Sequence, residues 1–62
     1  MDEKKLLELE DKLGKAGYWL NHLTRTAEGP EKMMLAYVLA NVSDAYKLTK
    51  TELVRTREAE QV

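Results

Sequence analysis

The stretch EKMMLAYVLANVSDAYKLTKTELVRTR, residues 31 to 57, decides the fold of this chain. At 100° per residue, its apolar positions repeat with the period of an α-helix and form one broad face. That face consists of Met34, Leu35, Val38, Leu39, Val42, Ala45, Tyr46, Thr49 and Leu53. A second apolar stripe on the other side consists of Met33, Tyr37, Ala40 and Leu48. A helix that is apolar on both sides needs more than one packing partner.

Length and composition exclude several classes of protein. The 62 residues allow one domain, residues 1–62, and a chain this short buries a small share of its surface. The sequence has no cysteine and one histidine, so we expect no disulfide, no metal and no cofactor, and oligomerisation remains as a source of stability. A net charge of −1 argues against a duplex DNA-binding protein. The N-terminus, MDEKKL, lacks the apolar segment of a signal peptide, and the longest apolar run, Met33 to Ala40, is too short to span a membrane, so we expect a soluble cytoplasmic protein.

Residues 2 to 28 predict a first helix, with Asp2 as its N-cap. Its apolar residues recur three and four positions apart, as in an a/d heptad seam. They are Leu6, Leu9, Leu13, Ala16, Leu20, Leu23 and Ala27. Gly14 and Gly17 each cost about 1 kcal/mol in a helix interior. Because the seam continues in phase across both glycines, we expect an unbroken helix that another helix or a ligand approaches closely, with a break into two shorter helices as the alternative.

The sequence around Gly29 and Pro30 predicts the turn between the two helices. Glycine favours the left-handed position after a helix, and proline favours the first position of the next helix. A turn at 28–30 joins the first helix to a second of about 30–57, and residues 58–62 are expected to fray. Two long helices joined so tightly run antiparallel. We therefore expect an all-α, antiparallel two-helix hairpin that oligomerises, in its simplest form as a dimeric four-helix bundle.

Two sets of residues are candidates for packing between chains. The residues expected in the oligomer interface are Leu13, Leu20, Met34, Leu35, Val38, Val42 and Tyr46. The second stripe of helix two remains for a different partner, and its candidate residues are Met33, Tyr37 and Leu48.

The outer side of helix one carries the candidate ligand site. Its aromatic and cationic residues project within an arc of about 120°. They are Lys15, Tyr18, Trp19, His22, Arg25 and Thr26. Aromatic rings stack on nucleobases and cations bind phosphate, so this arc suits a nucleotide or another planar anion. Packing of the same aromatic residues in an interface between hairpins is the alternative, and the two are compatible if the site lies between subunits.

The sequence offers no catalytic pattern. Ser43 and His22 are the only serine and histidine, they fall in different helices, and no glycine-rich phosphate loop is present. We therefore expect a protein that is not an enzyme.

One part of the sequence resembles a known family. The matching residues are the run from Lys15 to Leu23 (KAGYWLNHL), then Arg25, Ala27 and Pro30, then Leu35-Ala36, and Leu48-Thr49-Lys50 near the helix end. They resemble the phage anti-CBASS cyclic-oligonucleotide sponge family. Members of that family are small helical oligomers that sequester messenger nucleotides without cleaving them. The family's Arg-Trp pair and Gln-x-Gly step are replaced by Lys32-Met33 and Asn41-Val42-Ser43. The resemblance implies messenger binding near Lys15, Tyr18 and Arg25.

Three functional hypotheses follow. The first is a non-enzymatic helical homo-oligomer that binds stoichiometrically, in its most specific form a sponge for cyclic di- or trinucleotides. The second is a protein–protein interaction module, an inhibitor or antirepressor, that presents the exposed apolar stripe of helix two to a host protein. The third is an RNA-binding bundle similar in architecture to the plasmid copy-control Rop family, with the basic arc of helix one on the phosphates.

Overall fold

The computed structural model describes residues 2–60, which form two α-helices in an antiparallel hairpin. Helix α1 is Glu3–Thr26 and helix α2 is Pro30–Glu60. The hairpin is a narrow rod, 51 Å long and 14 Å across between Cα positions. The all-α hairpin predicted from the sequence is therefore confirmed, and the described residues contain no strand. No described helix is long and apolar enough to cross a membrane.

Both ends of α1 are defined by local hydrogen bonds. At the start, a carboxylate oxygen of Asp2 accepts a hydrogen bond from the backbone N–H of Lys5, at 2.8 Å. This is the N-cap that the sequence predicts. At the other end, the backbone N–H of Ala27 donates to the carbonyl of Leu23, and Gly29 turns the chain with a φ of +64°. Gly29 takes the left-handed conformation and Pro30 begins α2, as expected.

Two helix boundaries differ from the expectation. Helix α1 ends at Thr26 rather than near residue 28, because the chain is already extended at Ala27. Helix α2 continues to Glu60, so residues 58–60 are helical rather than frayed. Glutamate and alanine are strong helix formers, and their propensity carries the helix past the last residue opposite α1. The rest of the expected frayed segment, residues 61 and 62, lies outside the described residues.

Helix α1 runs unbroken through both glycines, and both face α2. A Cβ placed on Gly14 would lie 3.6 Å from Cε2 of Tyr46, and one placed on Gly17 would lie 3.9 Å from Cγ1 of Val42. Side chains of α2 therefore pack against α1 at both glycines, at distances that a methyl group would also allow. The alternative of two shorter helices is excluded.

The core between the two helices is thin. Leu6 and Leu53 are the described apolar side chains that are buried, at 5% and 3% exposure. Thr49 is buried beside them and donates its hydroxyl hydrogen bond to the carbonyl of Ala45, at 2.8 Å. This bond satisfies a polar group that would otherwise be costly to bury. Most of the remaining seam is only half-buried within one chain.

The heptad seam predicted for α1 is wrong at two positions. Leu9 and Leu23 are exposed, whereas Glu10 and Thr24 are half-buried against α2. The inward-facing line of α1 therefore runs one position later than the apolar pattern suggests at these two points. In α2, Met34 and Val38 were assigned to the same broad face as Leu35 and are also exposed. These four side chains lie outside the contact between the helices.

Candidate functional site

The pairing of the helices fixes which residues share a side of the hairpin. Gly14 lies opposite Tyr46, Gly17 opposite Val42, and a carboxylate oxygen of Glu3 accepts a hydrogen bond from Nε of Arg57, at 3.0 Å. The residue numbers of each pair add up to 59 or 60. We call the residues of each helix that face the other helix its inward line. In two antiparallel right-handed helices, a residue that comes one position before the inward line projects to the same side of the hairpin on both helices. Positions one residue after it project to the other side.

One side of the hairpin carries a group of apolar side chains, interspersed with the polar Lys12, Asn41 and Glu52. Its side chains come one position before the inward line on both helices. We define the apolar face as Leu9, Ala16, Leu23, Met34, Val38, Ala45 and Leu48. The five large residues among these are exposed.

The opposite side contains a hollow beside Gly14, which has no side chain to fill it. Its volume is about 380 Å³. We call it the aromatic hollow, and it is lined by Glu10, Asp11, Gly14, Lys15, Tyr18, Trp19 and Tyr46. A second hollow of about 360 Å³ adjoins it beside Gly17 and shares Gly14 and Tyr46 with it. Both glycines thus create open space along the line where α1 and α2 meet.

The structure brings together part of the predicted ligand arc. Lys15, Tyr18 and Trp19 line the aromatic hollow. The rings of Tyr18 and Trp19 meet edge to face, with centroids 5.8 Å apart, and they are 70% and 60% exposed. His22 extends the cluster, with its ring 6.3 Å from that of Trp19. These rings are therefore ordered against one another rather than packed against α2.

The remaining two residues of the predicted arc lie apart from the hollow. Arg25 and Thr26 are exposed in the last turn of α1 and are not among the lining residues. The hydroxyl of Thr26 donates to the carbonyl of Leu23, at 3.1 Å. That side chain therefore bonds to its own helix.

Charges around the aromatic hollow are mixed. Nζ of Lys15 lies 2.9 Å from a carboxylate oxygen of Asp11, and both side chains are mostly exposed. The carboxylate of Glu10 belongs to the same lining. From the other helix, Nζ of Lys50 lies 4.9 Å from the centroid of the Tyr46 ring. A ligand anion in the hollow would meet Lys15 and would compete with Asp11 for it, whereas Lys50 lies against the Tyr46 ring and does not line the hollow.

Sequence reasoning missed the contribution of α2 to the hollow. The sequence pattern assigned Tyr46 to the oligomer interface. The pairing rule of the hairpin gives the signal that could have identified this residue. A turn centred near residue 30 places position 46 opposite position 14, where a missing side chain leaves room for a ring.

Most of the expected oligomer-interface residues serve the hairpin itself. Leu13, Leu20, Leu35, Val42 and Tyr46 are half-buried in the chain's own interhelical region. Met34 and Val38, by contrast, are exposed on the apolar face. The reason is that two apolar lines run side by side along α2, and α1 covers only one of them.

The expected partner surface is fully presented to solvent. Met33, Tyr37 and Leu48 are 76%, 72% and 68% exposed. Among residues 2–60, no three histidine, aspartate or glutamate side chains come together in a way that could hold a metal ion.

Comparison of the chain with protein-family models, with curated proteins and with solved structures gives no match.

Proposed function

We propose that the protein is a non-enzymatic helical oligomer that acts by binding a ligand stoichiometrically in the aromatic hollow. The observation that supports this proposal is the convergence of three aromatic rings and a lysine on a glycine-lined space. Tyr18 and Trp19 come from α1, and Tyr46 comes from α2. Sites for small molecules commonly combine apolar or aromatic walls with a few placed polar groups. The exposed apolar face on the opposite side of the hairpin supports the oligomeric part of the proposal.

The ligand that best suits this hollow is planar and anionic. Aromatic rings bind the face of a nucleobase, and stacking contributes about 1–3 kcal/mol per base. Lys15 lines the hollow on α1, and Lys50 lies against the Tyr46 ring on α2, so a ligand that extends past this ring can place one phosphate near each lysine. A cyclic di- or trinucleotide carries both kinds of group, and sequestering it would need no cleavage. This is the activity implied by the resemblance of residues 15–23 to the anti-CBASS sponges.

Titration calorimetry with a panel of cyclic di- and trinucleotides tests this proposal. We expect saturable binding in a fixed proportion to subunits, with the ligand recovered intact. Tyr18→Ala should weaken the affinity by the roughly 5- to 150-fold that corresponds to a lost base stack. Tyr37→Ala is the matched control, because its ring is equally exposed but is not part of the hollow. Absence of binding at several hundred micromolar protein would contradict the nucleotide proposal.

A second candidate is supported by the exposed stripe on α2. Met33 and Tyr37 lie one turn apart, and Leu48 lies three turns further along the helix. A helix with anchors at this spacing can bind an apolar groove on a target protein, as an inhibitor or antirepressor does.

Pull-down of partners from host cells tests this second candidate. We expect a double variant, Met33→Ala with Tyr37→Ala, to lose a partner that the unchanged protein retains. The Tyr18→Ala variant should retain it. Equal recovery by all three proteins would contradict a role for this stripe.

A further inference from the structure

The apolar face leaves the hairpin with more exposed surface than a compact monomer has. The chain exposes 5103 Å², whereas a compact monomer of 7.1 kDa is expected to expose about 4,100 Å². Part of the excess comes from large apolar side chains on one side, such as Met34 and Leu48. Exposed apolar patches of this kind are typical of interaction sites.

Charges at the two ends of this face have opposite signs. Near the open end of the hairpin, Lys5 and Lys12 border the same shallow hollow as Leu9, together with one carboxylate, that of Glu8. On α2, Glu52 at this end accepts a hydrogen bond from Arg55, so the charge of the open end is net positive. At the turn end, Glu31 borders the shallow hollow that Met34 and Val38 also line. Glu28 adds a second carboxylate beside the turn. The face therefore runs from a basic end, through apolar side chains, to an acidic end.

We propose that a second copy of this chain covers the apolar face in the antiparallel orientation, with the turn of each hairpin over the open end of the other. Lys5 of each chain then lies beside Glu28 and Glu31 of the second copy. Helix α1 then lies over α1 of the second copy and α2 over α2, so Leu9 faces Leu23 and Met34 faces Leu48, and the small Ala16 and Ala45 lie near the centre. A parallel arrangement would instead place the two Lys5 side chains at the same end, and the two Glu31 side chains at the other, where like charges repel.

The area of this face is sufficient for a stable dimer. A helix the length of α1 is about 36 Å long, and two packed helices are about 20 Å wide. Each subunit would therefore bury about 700 Å², for a total of about 1,400 Å². That total lies within the range of about 1,200–2,000 Å² for specific interfaces. The result is an antiparallel four-helix bundle. This inference rests on the proposed function, since it specifies the oligomer named there.

Distances between spin labels distinguish the two orientations. The sequence has no cysteine, so Lys5→Cys and Glu31→Cys each provide a single labelling site. From the helix rise, the antiparallel dimer separates the two labels by about 37 Å at position 5 and about 35 Å at position 31. A parallel dimer brings the two labels at either position within about 15 Å of each other. Diluting the labelled protein with excess unlabelled protein must remove the signal, which shows that the distance is measured between chains.

Each outcome decides a different part of the inference. Long distances at both positions support the antiparallel dimer. Short distances overturn the orientation but not the oligomer or its ligand binding, which sedimentation and calorimetry measure separately. If labelling at position 5 weakens association, the position 31 variant, which retains Lys5, gives the deciding distance. A monomer in sedimentation equilibrium of the unchanged protein at several hundred micromolar overturns the dimer, whereas nucleotide binding is measured independently by calorimetry.

Charge reversal gives a second, independent test. Lys5→Glu should weaken the antiparallel dimer, because it places three carboxylates together, and we expect the dissociation constant to rise by at least 3-fold. Adding Glu28→Lys and Glu31→Lys to the same chain should restore the affinity, since the open end is then acidic and the turn end basic, and the two are again complementary. Failure of the triple variant to recover would overturn the proposed pairing of the ends.

Discussion

Tyr46 of α2 lies against the backbone of α1 at Gly14, and a Cβ placed on that glycine would lie 3.6 Å from Cε2 of the ring. This separation is an ordinary van der Waals contact. Gly14 therefore does two things at once: it lets the ring approach α1, and it leaves the aromatic hollow open beside the ring. The size of the side chain at position 14 should control both packing and access to the hollow.

Alanine and leucine at position 14 should have opposite effects. Gly14→Ala adds a methyl group for which there is space, and it removes the helix penalty of glycine, so we expect stability to rise by about 0.5–1 kcal/mol. Gly14→Leu should displace the Tyr46 ring and abolish ligand binding in the hollow. Gly17→Leu should likewise disturb Val42 and weaken the hairpin. Thermal unfolding followed by circular dichroism measures the first effect, and a higher melting temperature for either leucine variant would contradict the close packing.

Two leucines of α2, one buried and one exposed, provide a matched pair of alanine variants that tests which residues form the core. Leu53 is buried, and Leu53→Ala should cost about 2–5 kcal/mol, a large part of the stability of a chain this small. Leu48 is exposed on the apolar face, so Leu48→Ala should change the stability of a subunit by about 0.5 kcal/mol or less. Its effect should appear instead as weaker association. Urea titration measures the stability of the subunit, and sedimentation equilibrium measures its association. Similar losses of stability in both variants would show that the core is assigned wrongly.

The ion pair between Asp11 and Lys15 should limit anion binding more than it stabilises the fold. Both side chains are mostly exposed, and pairs of this kind contribute about 0–1 kcal/mol. Asp11→Asn should leave the melting temperature almost unchanged and strengthen the binding of a phosphate-containing ligand, because Lys15 is released. Lys15→Ala should weaken that binding and reduce its dependence on salt. Calorimetry at two salt concentrations checks both, and weaker binding by Asp11→Asn would argue against Lys15 as a phosphate contact.

The turn should depend on the backbone conformation of Gly29. With a φ of +64° and no atom within 4 Å of a Cβ placed there, the cost of substitution is conformational rather than steric. We expect Gly29→Ala to cost about 1 kcal/mol, whereas Gly29→Asn should cost less because asparagine tolerates the left-handed region. Equal stability of the two variants in thermal unfolding would mean that the turn adapts to another conformation.

Sequence reasoning succeeded where local chemistry determines the structure. The cap at Asp2 and the turn at Gly29 and Pro30 depend on hydrogen bonds and φ angles that single residues determine. The prediction was wrong where one apolar pattern is compatible with two ways of packing the helices. Leu9 and Leu23 fit a heptad seam, yet a line rotated by one residue contacts α2, because periodicity does not say which of two adjacent apolar lines the neighbouring helix covers.

The candidate site was predicted in part for the same reason. Tyr18 and Trp19 share a helix face, which follows from spacing along α1 alone. The contribution of Tyr46 depends on how the two helices are aligned. That alignment follows from the turn together with which of the two adjacent apolar lines of α2 faces α1, and periodicity alone does not decide between those lines.

The distribution of burial along the hairpin determines how it can open. The two buried leucines, Leu6 and Leu53, lie near the open end, while Gly29 forms the turn at the other end. Contacts near the turn close short loops and form at low entropic cost, whereas those at the open end close a loop of almost the whole chain. The most buried contacts therefore lie at the end of the hairpin whose closure costs the most chain entropy. Partial separation from the open end would expose both leucines, so opening should be cooperative, and amide hydrogens along both helices should exchange at similar rates rather than in a gradient from the open end.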